Sequence, residues 1–511
     1  MSENSHYDAI RYPSTVFSTF RPEYMAAAAI LHGVVPERIN NCRFLEVGCG
    51  DGVSLLAMAA SLPDAEFVGI DLSEPRIDEA QQSARAIGVS NVRFHCLDVT
   101  NFDSKEFGKF DYIAAHGLYS WVPETVRERI LVIYKDCLTP KGIGYISYNT
   151  FPGWHLRNLI RDAGRFIIGN ERQSLEDAEK AIQFVRMMAE SPGTGNFYKE
   201  IIKSELATAE TKAPGILFHD ELAELNRPFY ISEMVSRFER AGLVFLAEAD
   251  PTMHLTDPLG PTVNAFLNSL ADIPVRREQC LDFLRGTRFR STLICHSEAA
   301  PKYFADAEGM ESLYFSSISR PLDPRSDLTD ESAVEFLTKE QSKFATNFAF
   351  TKSFLAHLGG IYPGSISFME AEAILRERFP QEEGFIEKLE LFKKHVISLY
   401  HAGVVEITGF RPHFAKTVSE RPKASPFAKW QAATGYPFVT TLQGNNVQFE
   451  SGLAAEILAQ LDGTRPVPEI TGALASPANS HLLDELGPET TVADFVERSL
   501  DQFCKFGLLI D

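Results

Sequence analysis

Between residues 43 and 148, short apolar runs alternate with segments whose apolar positions recur every three to four residues. That alternation predicts strands at 44–47, 66–71, 92–97, 111–115 and 144–148, with helices starting near Val53, Glu74 and Pro123. The last of these helices runs through RERILVIYKDCL, and Thr139-Pro140-Lys141-Gly142 reads as its stop before the fifth strand. The order is that of a parallel sheet covered by helices on both faces. After Phe151-Pro152-Gly153-Trp154 the pattern turns helical and charged, from about 156 to 213, as an insertion. Strand-like segments return at 242–249 and 289–295 and can complete the sheet.

Beyond about residue 297, helices end in short apolar strands, as in SLYHAGVVEI (398–407) and QFCKFGLLI (502–510). Gly403 and Gly507 sit where a helix end needs a left-handed residue. The basic, proline-containing stretch SERPKASP (419–426) reads as a linker between two small units. The expected fold is therefore α/β, a Rossmann-like sheet with a helical insertion, followed by mainly helical, winged-helix-like domains. The expected divisions are 1–155 for the N-terminal segment and core, 156–235 for the insertion, 236–297 for completion of the sheet, 298–418 for a helical middle domain and 419–511 for the winged-helix-like domain.

Composition narrows the function classes. With 44% hydrophobic and 23% charged residues in 511, and no apolar run of membrane-spanning length, no membrane insertion is expected. The polar start MSENSHYDAIRYPS lacks a secretory pattern, which points to the cytoplasm. Seven cysteines without CxxC spacing support neither a disulfide framework nor a cysteine metal site. The net charge of −20 opposes nucleic-acid binding and suits a basic or neutral partner, although acidity spread this widely is first of all a matter of solubility. Residues 301–511 alone carry 19 basic and 29 acidic side chains.

The richest chemistry lies in RFLEVGCGDGVSLLAMA (43–59), where a strand enters Gly48-Cys49-Gly50-Asp51-Gly52 and passes straight into a helix. Such a turn lets backbone approach a nucleotide-type ligand at a helix N-terminus. The spacing is GxGxG, with Val53 where a dinucleotide motif needs a third glycine, and Glu46 precedes the loop. A pyrophosphate beside Glu46 would be repelled, whereas the sulfonium and ammonium of S-adenosylmethionine suit a carboxylate. Asp71 ends the second strand and can accept from both ribose hydroxyls, with Leu72 beside it. Asp98, ending the third, can take an adenine amino group, with Leu97 or Val99 against the ring, although a strand-end cap is nearly as good a reading of Asp98 alone.

Together the glycine loop, Asp71 and Asp98 resemble the cofactor site of class I S-adenosylmethionine-dependent methyltransferases. YDAIRYPSTVF (7–17), HGLYSWVP (116–123), YNTFPGW (148–154), SERPKASP and LDGTR (461–465) further resemble bacterial methyltransferases with a methyltransferase regulatory domain, including rickettsial protein lysine methyltransferases acting on outer-membrane proteins. Where that group has Gly-Asn after the loop this chain has Val53-Ser54, and its Thr-His-Pro reads Phe20-Arg21-Pro22. The resemblance implies S-adenosylmethionine as cofactor, a protein lysine as acceptor, in a surface or outer-membrane protein, and a homodimer. Alternatives are a small-molecule methyltransferase and a sensor that binds the cofactor without turnover.

On this reading Glu46, Gly48, Cys49, Gly50, Asp71, Leu72, Asp98, Val99 and His116 line the cofactor. Tyr119, Trp121, Tyr148 and Asn149, after the fourth and fifth strands, are the candidate catalytic residues, their aromatic faces able to hold an amine. His116 and His155 are possible bases without a motif-fixed carboxylate partner. Removing the residues after about 300 is expected to spare cofactor binding and impair protein methylation, provided the shortened chain stays folded, so that the cofactor core stands without them.

Overall fold

The computed structural model describes residues 10, 12, 14–169, 174–192, 195–339, 341–476, 483, 486 and 490–510. The remainder of the 7–17 segment lies outside the described residues. The main sheet has seven strands: β1 (Arg43–Val47), β2 (Glu66–Asp71), β3 (Val92–Cys96), β4 (Phe110–Ala115), β5 (Leu138–Asn149), β6 (Leu243–Glu248) and β7 (Phe289–His296). Their order is β3-β2-β1-β4-β5-β7-β6, with β7 antiparallel to both neighbours and the other pairs parallel. The five strands expected before residue 150 are present.

One boundary differs. Residues 139–142 do not stand between helix and strand; β5 already begins at Leu138, which pairs with Phe110, and the β4–β5 register shifts between Phe110 and Tyr112. Both Phe110 and Leu138 are fully buried, so the chain is pinned there and the Pro-Gly stretch is taken up as an irregularity inside the strand.

Both sheet faces are covered. Phe44, Phe67, Tyr112 and Tyr145 face the helices Pro22–Leu31 and Val53–Ser61, while Leu45, Val68, Ile113 and Ile146 face Glu124–Cys137 and Ile231–Arg240. Pro22–Leu31 reads PEYMAAAAIL and is buried almost all round. Met25, Ala26, Ala28 and Ala29 join the sheet core; Ala27, Ile30 and Leu31 join a second core built from residues 310–407. A helix apolar on every side is one enclosed by protein, and its small alanines let both cores approach closely.

The insertion forms helices Gly153–Ile168, Leu175–Glu190, Asn196–Glu210 and Pro214–Leu222 around their own core. The middle unit packs Ala349–Ile361, Phe368–Arg378 and Phe385–His401 on a small sheet of Tyr314–Ser316, Ile366–Ser367 and Glu406–Thr408. Gly403 and Gly507 have φ of 68° and 67°, as expected of helix-ending glycines.

Residues 419–426 are more than a linker. Lys423–Ala424 pairs with Leu509–Ile510 as part of the last unit, whose helices include Pro426–Ala433, Gly452–Ala459, Val467–Leu474 and Val492–Lys505 and whose hairpin pairs Val439–Thr440 with Asn446–Val447. This unit does not stand apart. Phe427 belongs to the core of the main sheet, Trp430 and Tyr436 pack against that core, and the helix Pro426–Ala433 meets the helices Val53–Ser61 and Glu74–Ile87. The helix that follows the glycine loop thus borrows part of its cover from the far end of the chain, which bears against a cofactor core that stands without the residues after about 300.

Candidate functional site

The glycine loop is held from behind by β2. The amides of Gly48 and Cys49 donate to the Ile70 carbonyl at 2.8 and 3.1 Å, and the Gly50 amide donates to Asp71 Oδ2 at 2.8 Å. Gly52, at φ 70°, would place a Cβ 2.3 Å from the Phe94 ring, whereas a Cβ on Gly50 would meet nothing within 4 Å. Gly52 thus lets the loop close against β3, and Gly50 presents open backbone.

Three carboxylates surround the loop. Glu46 is buried and its Oε2 has no hydrogen-bond partner. Burial first, then the charges of Asp51 and Asp71, hold its carboxyl well above the usual range. A buried, unpaired acceptor among acids is a place for a cation, so the residues fit a sulfonium nucleoside with an ammonium group better than a dinucleotide. Asp71 Oδ1 accepts from Ser73 N at 2.9 Å, so the carboxylate that would take ribose hydroxyls is already oriented by two backbone donors. Leu72, 50% exposed, stands beside it as an uncovered apolar wall. Asp98 Oδ1 caps the turn that starts at Val99, accepting from Thr100 N at 2.8 Å and Thr100 Oγ1 at 2.7 Å. This cap occupies one oxygen and fixes the direction of the other. Cys49 is buried under the loop, where desolvation raises its thiol and leaves it unreactive.

Beyond β4 the alternation of side chains decides what reaches this edge. Tyr145, Ser147 and Asn149 share one face of β5, the face of the sheet that also carries Glu46 and His116. Tyr148 points the other way. It is 1% exposed, shares a hydrogen bond of 3.0 Å with Thr292 Oγ1, and lies in the opposite core above a buried ion cluster. In that cluster Arg290 pairs with Glu248 at 2.7 Å, Glu278 at 3.0 Å and Asp282 at 2.9 Å. Tyr119 is likewise wholly buried in that core, its ring 5.4 Å from Phe229. The expectation that Tyr119 and Tyr148 offer open faces to an amine is corrected by this placement: neither ring has a free face.

Trp121 remains partly exposed and meets the Trp154 ring edge-on at 6.1 Å. Asn149 Nδ2 donates to Asn226 Oδ1 at 2.8 Å and its amide donates to Ser120 Oγ at 2.8 Å, which fixes the end of β5. His155 stacks on Phe151 at 4.1 Å and bonds Tyr230 Oη at 3.0 Å, a surface packing role.

Four residues to which the sequence reading gave no place in the site complete the edge. Phe17, Phe20, Tyr145 and Phe289 surround His116, with ring centroids 4.1, 5.4, 5.8 and 6.0 Å away. The N-terminal segment lies across the site: Ser14 Oγ donates to Asp51, and the Val16 carbonyl accepts from Asn446 Nδ2 at 2.9 Å. Buried Arg21 donates to Ser61 Oγ at 3.0 Å and to the Leu442 carbonyl at 3.2 Å, and Tyr24 Oη donates to the Gln443 carbonyl at 3.2 Å.

Comparison with known proteins places this architecture. Residues 39–210 match the family described as a methyltransferase domain, 213–296 a predicted methyltransferase regulatory domain, and 420–508 the C-terminal winged helix domain of PKMT. The chain is 31% identical over 453 residues to the uncharacterized protein RP789 of Rickettsia prowazekii, covering 87% of this chain and 81% of that one. It is 32% identical over 237 residues to RP028 of the same organism, covering 46% of this chain and 94% of that one. Among solved structures it is similar to PKMT2 from Rickettsia typhi in complex with AdoHcy, with 26% identity, a TM-score of 0.86, and coverage of 98% and 100% of the two chains.

Proposed function

From the premise that this chain belongs to the family of methyltransferases carrying a regulatory domain and a PKMT winged helix domain, and is an S-adenosylmethionine-dependent methyltransferase, we propose that it methylates lysine side chains of a protein. The observation that carries the reading is the likeness to PKMT2 over 98% of the chain, insertion and C-terminal units included. A small acceptor needs enclosure by few residues; this chain keeps more than half its length outside β1–β5. When bound, S-adenosylmethionine supplies an electrophilic methyl group on a cationic sulfur. Gly48 and Gly50 offer the cradle, Glu46 faces the cation, Asp71 takes the ribose hydroxyls, and Asp98 with Leu72 and Val99 takes the base. Incubation with tritiated S-adenosylmethionine and fractionated lysate tests the proposal: label in protein, recovered as methyllysine after hydrolysis, is expected. Label confined to small metabolites would move the small-molecule alternative ahead.

Asp71→Ala removes charge-assisted bonds worth about 1.5–3 kcal/mol, roughly ten- to hundred-fold in affinity. Calorimetric titration with S-adenosylhomocysteine should show that loss, and an unchanged affinity would refute the ribose assignment.

The family reading includes a homodimer, a surface or outer-membrane substrate and a cytoplasmic location. Supporting the first, the insertion exposes Phe166 (84%), Met187 (61%) and Phe197 (81%), apolar side chains that a second copy of the chain would cover. Sedimentation should give a dimer at micromolar concentration, shifted toward monomer by Phe166→Glu with Phe197→Glu. A wild-type chain sedimenting only as monomer would end that reading.

A further inference from the structure

With adenosine assigned to Asp71 and Asp98, on one side of β1, the reacting end of the cradle falls on the other side, at the edges of β4, β5 and β7. There the His116 ring sits among Phe17, Phe20, Tyr145 and Phe289. Phe17 and Phe289 are 39% and 42% exposed, so this aromatic setting opens outward on one side. Phe20 and Tyr145 close it on the other.

The hydrogen bonds of Tyr145 bear on which imidazole nitrogen is available. Tyr145 Oη donates to Ser291 Oγ at 2.9 Å. A phenol has one proton to give, so toward His116 Nδ1, 2.8 Å away, Tyr145 acts as acceptor. With the phenol proton on Ser291, His116 carries its own proton on Nδ1 and presents Nε2, on the side of the ring away from the backbone, as an acceptor. Burial holds this imidazole down to about 4, so it is neutral at physiological pH.

We propose that His116 Nε2 accepts a hydrogen bond from the incoming neutral amine, whose aliphatic stem enters between Phe17 and Phe289, and so turns the nitrogen lone pair toward the methyl group. The inference rests on the lysine reading above and adds to it the residue that orients the acceptor. His116 does not take the proton, because so weak a base would not retain one beside a cation. Formation of the nitrogen–carbon bond is balanced by cleavage of the carbon–sulfur bond, whose electron pair stays on sulfur, and the surplus proton on nitrogen leaves to water. Tyr145 and Ser291 are positioning residues, acting through the tautomer of His116.

The full-length chain with tritiated S-adenosylmethionine and poly-L-lysine provides the test. His116→Ala should lower kcat about 100-fold, the scale of a lost orientation, a loss much larger than any in S-adenosylhomocysteine affinity. Added imidazole should restore part of the rate in proportion to its neutral form. A kcat within threefold of wild type, or a loss matched by cofactor affinity, would overturn the inference while leaving the lysine reading intact. Absence of methyllysine from both poly-L-lysine and lysate protein with the wild-type chain would count against both. Nitrogen-15 histidine spectra, independent of turnover, should give His116 a protonated Nδ1 that Tyr145→Phe abolishes; a protonated Nε2 in the wild type would also overturn it.

Discussion

Arg290→Met is expected to destabilise the chain by about 3–5 kcal/mol, lowering its melting temperature by on the order of 10 °C. Arg290 is 1% exposed and is paired with three carboxylates, Glu248, Glu278 and Asp282, drawn from β6 and from the helix Pro274–Arg285. Burial opposes its charge, and the three acids outweigh that and hold its guanidinium firmly protonated. Removing it takes away the one cation that all three acids share, and the bonds they keep, from Tyr303 to Glu278 and from Thr292 and the Ser291 amide to Glu248, do not replace its charge. The order of effects among variants discriminates this account from simple loss of packing. Burial pushes Glu248 up to about 7, against the pull of Arg290, so Glu248→Gln removes a group only partly ionised at neutral pH and should cost far less. Thermal denaturation of the two variants checks the order; equal losses, or an Arg290→Met chain melting within 2 °C of wild type, would refute the idea of uncompensated charge.

A chain ending at residue 418 is expected to lose S-adenosylhomocysteine binding by at least about 100-fold. Phe427 is buried in the main core, and Trp430 and Tyr436 lie against it beside the helix that follows the glycine loop. Burying aromatic side chains of this size contributes about 1.5–3 kcal/mol each, so their removal uncovers the face of a helix whose N-terminus forms the cradle. The same cut removes the Asn446, Leu442 and Gln443 contacts to Val16, Arg21 and Tyr24. Calorimetry on the shortened chain checks this, and the folded full-length variant Trp430→Ala with Asn446→Ala should show a milder loss of about tenfold. Wild-type affinity in both would restore the view of a self-sufficient cofactor core.

What could be read from sequence was what is local. The β1 run, the GxGxG turn and the acids at the ends of β2 and β3 each declare themselves within a few residues, and the structure gathers Glu46, Asp51 and Asp71 at one loop. The placement of Tyr148 could not be read the same way. Residues 143–150 are buried on both faces, so no polar alternation marks which side of β5 meets the cofactor. Tyr145 and Tyr148 then look equivalent, although three positions apart they must point to opposite faces. Phe289 was hidden for another reason: it reaches the site only because β7 enters the sheet antiparallel between β5 and β6, a pairing set by long-range packing. The cover supplied by Phe427 and Trp430 is likewise tertiary, with no trace in periodicity.

The hydrogen bond from Asn446 to the Val16 carbonyl joins positions 430 residues apart. During synthesis the chain emerges from its N-terminal side at about 5–20 residues per second, so this contact must wait roughly 20 to 90 s after residue 16 has been made. Throughout that interval the nascent sheet can form, since β1–β5 are contiguous, but residues 14–20 have no far-side partner to rest on. A ribosome stalled between residues 300 and 420 would therefore carry a folded sheet with an open cradle. The enzyme should acquire its cofactor as one of the last events of its own biosynthesis.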